Sequence, residues 1–226
     1  FCPGKSVSDN ARVHLGRKNV LKVDLHDFFP SIRSPRVRAA FREMGYSRPI
    51  AKVLAELCCL RCCLPQGAPT SPALSNIIAY PMDKKMMALA GEYGLVYTRY
   101  ADDLTFSGDY LPKDEVLVRI HRIIREEGFT MNVKKTRFLS EHKRKIITGV
   151  SVSSGKKMTL PKVKKREIRK NVHYVLTKGL VGHQEHIGST DPVYLKRLLG
   201  SLCYWRSIEP DNRYVSDSIT ALKRLM

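Results

Sequence analysis

The chain has 226 residues, 43% hydrophobic and 27% charged, an ordinary globular composition with room for one large domain or a domain and a smaller appendage. Forty Lys and Arg against twenty-one Asp and Glu leave a net charge of +19, a field that favours phosphate-rich partners and makes their binding salt-dependent. No apolar run reaches the roughly 18 residues that span a bilayer, and no lipidation signal or amphipathic anchor accompanies the charge, so a membrane partner is set aside.

The chain opens on Phe1-Cys2-Pro3-Gly4, without the basic start and apolar core of a signal peptide, and reads as a fragment or trimmed chain. Gly4-Lys5-Ser6 lacks the earlier glycine of a phosphate loop. Asn10 and His14 stand four apart and share a helical face. Val20 to Leu25 reads as a buried strand with Asp24 near its end, where an acid is costly unless a cation or partner holds it. Ser34-Pro35 opens a helix that Gly45 closes, and a second helix runs from about Pro49. Cys58, Cys59, Cys62 and Cys63 lie at helical spacing at its end and read as small buried hydrophobes. Zinc would need a second cluster, which Cys2 and Cys203 do not form, so the protein reads as reduced and cytosolic.

Leu64 to Pro72 is a Gly- and Pro-rich loop that permits close backbone approach. Ser71-Pro72 starts a third helix, which Pro81 is expected to kink or end. Val96 to Ser107 reads as two short strands joined at Asp102-Asp103. An amphipathic helix over Lys113 to Glu127 and short strands around 132–136 and 146–150 follow. From Pro161 to Gly179 a helix carries a densely basic face with Lys162, Lys164, Lys165, Arg166, Arg169 and Lys170. Two more helices follow at 191–208 and 212–226. A boundary near residue 155, at the hinge Ser153-Ser154-Gly155, divides 1–155 from 156–226.

Two consecutive acids on a regular strand would face opposite ways, but at a turn both can project toward one cation. The bland reading of Asp102-Asp103 is a surface turn, since Asp is a favoured turn residue. An acid at a strand end, two at a hairpin tip, a Gln-Gly loop and a basic helix together fit metal-dependent nucleotidyl transfer, in which acids from different elements grip two cations.

These segments resemble the motifs of bacterial reverse transcriptases, most closely the retron type. Tyr100-Ala101-Asp102-Asp103 matches YxDD, and Val23-Asp24 with Phe28-Phe29 matches the first acidic motif. Leu64 to Pro72 with Ser75-Asn76 matches LPQGxPxSPxLSN, and Asn132 to Thr136 is similar to the later Nxx-Lys-Thr motif. Asn10-Ala11-Arg12-Val13-His14 fits the retron NAxxH signature. Ile147-Thr148-Gly149 resembles VTG, with Ile in place of Val.

The resemblance implies an α+β fold: a right-hand polymerase palm, a small antiparallel sheet backed by helices, with partial fingers and a helical thumb. It implies RNA-directed DNA synthesis with two Mg²⁺ held by Asp24, Asp102 and Asp103, the Leu25 carbonyl being a further ligand. Phe29 would pack beneath the sugar of the incoming deoxynucleotide and clash with a ribose 2′-OH. Gln66 and Gly67 would line the nucleotide pocket, and Lys135 would meet the pyrophosphate. A structured noncoding RNA would serve as template and, through an internal 2′-OH, as primer for single-stranded DNA, in the cytoplasm of a bacterium and in anti-phage defence with an effector protein. Asn10, His14 and Thr148 would contact that RNA, and Lys162, Lys165, Arg166 and Arg169 would grip it through phosphates. Alternatives are a group II intron-like or diversity-generating reverse transcriptase, or a non-catalytic RNA-binding relative, although all three acids are retained.

Overall fold

The computed structural model describes residues 4–225, so Cys2 lies outside the described residues. The chain divides into two compact units, one ending at Lys145 and the other running from Ile146.

The first unit begins with α1 (Val7–Arg12), opened by a reciprocal cap between Ser6 and Asp9. Then come β1 (Asn19–Leu25), the single-turn helix α2 (Phe28–Ser31), α3 (Ser34–Glu43), α4 (Arg48–Cys58) and α5 (Ser71–Glu92). The hairpin β2 (Val96–Tyr100) and β3 (Asp103–Gly108), α6 (Lys113–Glu126) and β4 (Met131–Leu139) complete it. The four strands form one antiparallel sheet in the order β2-β3-β1-β4.

Strand alternation gives this sheet two unlike faces. Leu21, Val23, Leu104 and Phe106 share one side and join the core with Met82, Met86 and Leu89 of α5 and Val116, Ile120 and Ile124 of α6. Lys22, Asp24, Asp103, Thr105 and Ser107 share the other. An apolar side covered by helices and a polar side carrying acids make a palm, the α+β architecture expected from the sequence.

Two local expectations are corrected. Pro81 neither ends nor breaks α5, which continues to Glu92. Its ring is exposed while Met82, Met86 and Leu89 are buried, so packing offsets the one backbone hydrogen bond that proline removes. The four clustered cysteines do not share a helix either. α4 stops at Cys58, and Leu60 to Cys63 make a tight turn with left-handed backbone at Arg61 and Cys62. Cys58 and Cys59 pack against the core, whereas Cys62 is exposed.

The second unit holds the short pair β5 (Ile146–Ile147) and β6 (Val150–Ser151), then α7 (Lys162–His186), α8 (Tyr194–Ile208) and α9 (Arg213–Lys223). The division falls ahead of the hinge at 153–155. Ser151 bridges Thr159, and the Leu160 amide donates to Glu209, so residues 146–160 belong with the helices that follow. Trp205, fully buried, centres this core with Leu202, Val215 and Leu222. Gly179, at φ 76°, kinks α7.

Candidate active site

The register of β1 against β3 puts Asp24 directly across the ladder from Asp103, so both carboxylates leave the same face of the sheet. Asp102 is in the two-residue turn between β2 and β3. Its carbonyl accepts the Leu25 amide at 2.9 Å, which ties the turn to the end of β1. Two remote segments, residues 24–25 and 102–103, therefore meet by backbone pairing alone.

The turn carries strain. Ala101 has φ 53°, at a position where two-residue hairpins favour glycine. A non-glycine residue held there costs about 1–3 kcal/mol and needs surrounding structure to hold it. Arg99 supplies that hold. Its Nη1 donates to the Ala101 carbonyl at 3.2 Å, while Nε and Nη2 grip Asp83 of α5 at 2.8 and 2.6 Å. Nη2 also reaches Asn76 Oδ1 at 3.3 Å, and Tyr97 donates its hydroxyl to Asp83 at 2.7 Å. Burial alone would depress the Arg99 pKa, but Asp83 reverses that and holds it above the ordinary value. Burial, then Asp83, pushes Tyr97 well up, so its hydroxyl remains a donor. These positioning residues escaped the sequence reading. The available signal was Arg99 inside an otherwise β-rich run, with Asp83 on a mostly apolar helix.

The carboxylates crowd one another. Burial, joined by Asp103 and Asp24, raises the Asp102 pKa above the usual carboxylate range, with Lys135 pulling the other way. Asp24 is 8% exposed, and its Oδ1 has no hydrogen-bond partner. Lys135 Nζ stands 3.4 Å from both oxygens of Asp24, and Lys22 Nζ is 4.0 Å from Asp103. An orphaned buried carboxylate oxygen beside two further acids is a donor set that suits a hard divalent cation. Among the described residues no three acid, His or Cys side chains are yet gathered closely enough to coordinate one ion. Lys135 and Lys22 supply the positive charge beside the acids.

Lys135 arrives through a bulge. From Lys22 to Asp24, β1 advances two residues while β4 runs five, from Arg137 to Asn132. The extra residues leave the ladder, Thr136 Oγ1 closes the bulge onto the Asn132 carbonyl at 3.0 Å, and Lys135 swings over Asp24. An open cavity of about 260 Å³ lined by Lys22, Asp24, Asp103, Lys135 and Arg137 results.

Phe29, on α2, is half-buried and packs edge-on against Phe28 at 5.3 Å. Gln66 and Gly67 are exposed, in a loop pinned where Ser71 Oγ donates to the Pro65 carbonyl at 2.7 Å. Gly67, at φ 93°, is needed for its backbone and not for space.

His14, expected at the RNA, is turned inward instead. It is fully buried, its Nδ1 2.6 Å from Ser107 Oγ and its Nε2 2.8 Å from Thr98 Oγ1, so both ring nitrogens are engaged by the hairpin strands. Burial, then Arg17, lowers its pKa to about 4, and the ring is neutral. Asn10 stays half-buried on α1, and Thr148 has left-handed backbone at φ 45°. On α7, Lys162 and Arg166 are exposed. Lys165 is instead held by Glu209 at 2.6 Å, and Arg169 lies over the Trp205 and Tyr214 rings. Of those four cations Lys165 is thus committed to an ion pair in its own unit, while Arg169 remains exposed.

Residues 1–175 match the family described as reverse transcriptase (RNA-dependent DNA polymerase). The retron Ec86 reverse transcriptase of Escherichia coli is 39% identical over 185 residues, covering 81% of this chain and 57% of that protein. The retron Mx65 reverse transcriptase of Myxococcus xanthus is 36% identical over 231 residues, covering 93% and 51%. The structure of telomerase from Candida albicans in complex with a fragment of telomeric RNA aligns with a TM-score of 0.46 at 12% identity, covering 97% of this chain and 48% of that one. The chain spans about half the length of the curated relatives it matches.

Proposed function

The chain belongs to the reverse transcriptase family, and from that premise we propose that it is an RNA-directed DNA polymerase of the retron type. The observation that supports this most is the direct pairing of Asp24 with Asp103, with Asp102 in the adjoining turn.

Asp24, Asp102 and Asp103, with the Leu25 carbonyl, would hold divalent magnesium, two ions in this reading. When bound, the metal lowers the cost of generating the attacking 3′ oxygenate and neutralises charge on the departing pyrophosphate. The protein's own residues do the rest. Arg99 and Asp83 keep the turn in position, so that the carboxylates need little reorganisation on binding. Lys135, paired with Asp24 before substrate arrives, would turn its ammonium to the pyrophosphate and donate a proton or a charge there. Gln66 and the Gly67 backbone would line the nucleotide pocket. Phe29 would sit under the sugar and exclude a 2′-hydroxyl by bulk.

The retron reading goes further. A structured noncoding RNA serves as template and, through an internal 2′-OH, as primer, giving single-stranded DNA joined to RNA. Exposed Lys162 and Arg166 would hold that RNA through phosphates. The setting would be the bacterial cytoplasm, with an effector protein, in anti-phage defence. Identity to two retron reverse transcriptases supports the retron type itself.

The test is extension of a DNA primer on an RNA template by the purified chain with Mg²⁺ and deoxynucleotides. The expected result is template-dependent DNA that Asp103→Asn cannot make. An Asp103→Asn protein that extends as well as the parent overturns the site. The retron reading is tested by sequencing nucleic acid that copurifies with the protein, a single structured RNA species being the expected result.

A further inference from the structure

Helices α3 and α4 pack together, and a groove between them, about 700 Å³, lies outside the site described above. It is lined by Pro35, Arg38, Ala39, Arg42, Arg48, Pro49 and Lys52. The inner faces of these helices are occupied: Val37, Ala40, Ala51 and Ala55 are buried, and Arg36 donates to the Glu127 carbonyl and covers Phe129. On the outer side, Arg38 and Arg42 stand one turn apart on α3, and Arg48 and Lys52 one turn apart on α4. Each pair is separated by about 6 Å along its helix axis.

Several cations of the first unit are neutralised within it. Lys85, Arg99 and Arg119 each have a carboxylate partner. In the groove, no lining residue is acidic. Arg42 donates only to the Tyr46 carbonyl, and Lys52 reaches Glu56 at 3.9 Å. Arg38 and Arg48 make no hydrogen bond or ion pair among the described residues. Four exposed cations stand over a floor of alanine and proline, and two of them, Arg38 and Arg48, have no partner among the described residues. Guanidinium forks at one-turn spacing suit successive phosphates of a polynucleotide strand better than one small anion.

We propose that this groove is a second RNA-docking surface, separate from the acids, which takes the phosphate backbone of the structured RNA. The proposal rests on the RNA-directed reading above. Phosphate contacts of this kind fix the register of an RNA without reading its bases. The groove would therefore anchor a folded part of the RNA while another part is copied.

The test uses the whole chain, a structured RNA hairpin as probe, and binding measured across 50–300 mM salt. Arg38→Gln/Arg48→Gln should lower affinity about tenfold near physiological salt and make the salt slope shallower by about 2, one for each lost phosphate contact. Extension of a short primed template, which does not need the groove, should be unchanged. The matched control Arg122→Gln/Arg125→Gln removes two charges from α6 and should leave the slope near that of the parent. Equal loss in the control would assign the effect to net charge and overturn the proposal. So would an unchanged slope in the groove variant, including the case where it loses polyglutamate binding, which would mark an acidic protein as the partner. Because primer extension is read separately, a protein that extends primers yet fails this test sinks the groove alone.

Discussion

Arg99 and Asp83 form a two-pronged ion pair beneath the hairpin tip, and the same guanidinium holds the carbonyl of strained Ala101. Arg99 is buried, its side chain 6% exposed, and Asp83 is 18% exposed, so removing one partner leaves a poorly solvated charge without its counter-ion. Arg99→Lys keeps the charge and loses the fork. We expect a fall in kcat of about 10- to 100-fold, with nucleotide KM changed far less, because the loss falls on placement of the acids. Steady-state extension kinetics measure both. An unchanged kcat would reduce the pair to a packing feature.

Asp102→Asn separates function from stability. The amide cannot serve as an anionic ligand, so primer extension should drop by more than about 100-fold. The same change relieves repulsion from Asp103 and Asp24, which oppose ionisation of Asp102 in the fold. Melting without metal at pH 7 should therefore occur at a higher temperature than in the parent. A lower Tm would mean that the carboxylates do not crowd as described.

His14 makes stability depend on acid. Its folded pKa, about 4, lies below the ordinary 6.5, so the native ring resists a proton that the unfolded chain accepts. The contribution is intact above pH 6.5 and is lost as pH falls from there toward about 4. Its full size is on the order of 3 kcal/mol. Denaturant titrations from pH 7 to 4 should show His14→Gln less stable at pH 7 but with a flatter decline. Parallel curves for the two proteins would rule out His14 as the sensor.

Phe29→Ala should open space under the sugar. Incorporation of ribonucleotides relative to deoxynucleotides should rise by about 10- to 200-fold, the range expected when one steric contact is removed. Competition assays on a single template read that ratio directly, and an unaltered ratio would leave Phe29 as packing for Phe28.

Much of the fold was legible because alternation and caps are local. The strand at 20–25, the hairpin at 96–107 and the helix ending at Gly128 stand where periodicity placed them, since each was marked at both ends. The nearness of the acids was legible as a motif, but its cause, antiparallel register, is a long-range property that no local pattern encodes. Pro81 misled because helix-breaking is a propensity, and a row of buried methionines overrides it. His14 misled in the opposite direction. A polar residue in a polar stretch reads as surface, yet Thr98 and Ser107, remote in sequence, satisfy it inside. Lys135 was named from its motif, while its approach to Asp24 depends on a bulge that sequence alone does not announce.

That bulge has a wider consequence. The ladder between β1 and β4 is intact on both sides of residues 133–136, at Phe138 and Leu139 and again at Asn132 and Met131. The intervening stretch can lengthen, shorten or exchange side chains while the flanking strands keep their alignment. Positive and negative partners in the chemistry thus ride on separately adjustable supports. Such modularity would let the proposed activity be retuned for a different leaving group by rebuilding four residues, leaving the acidic platform untouched.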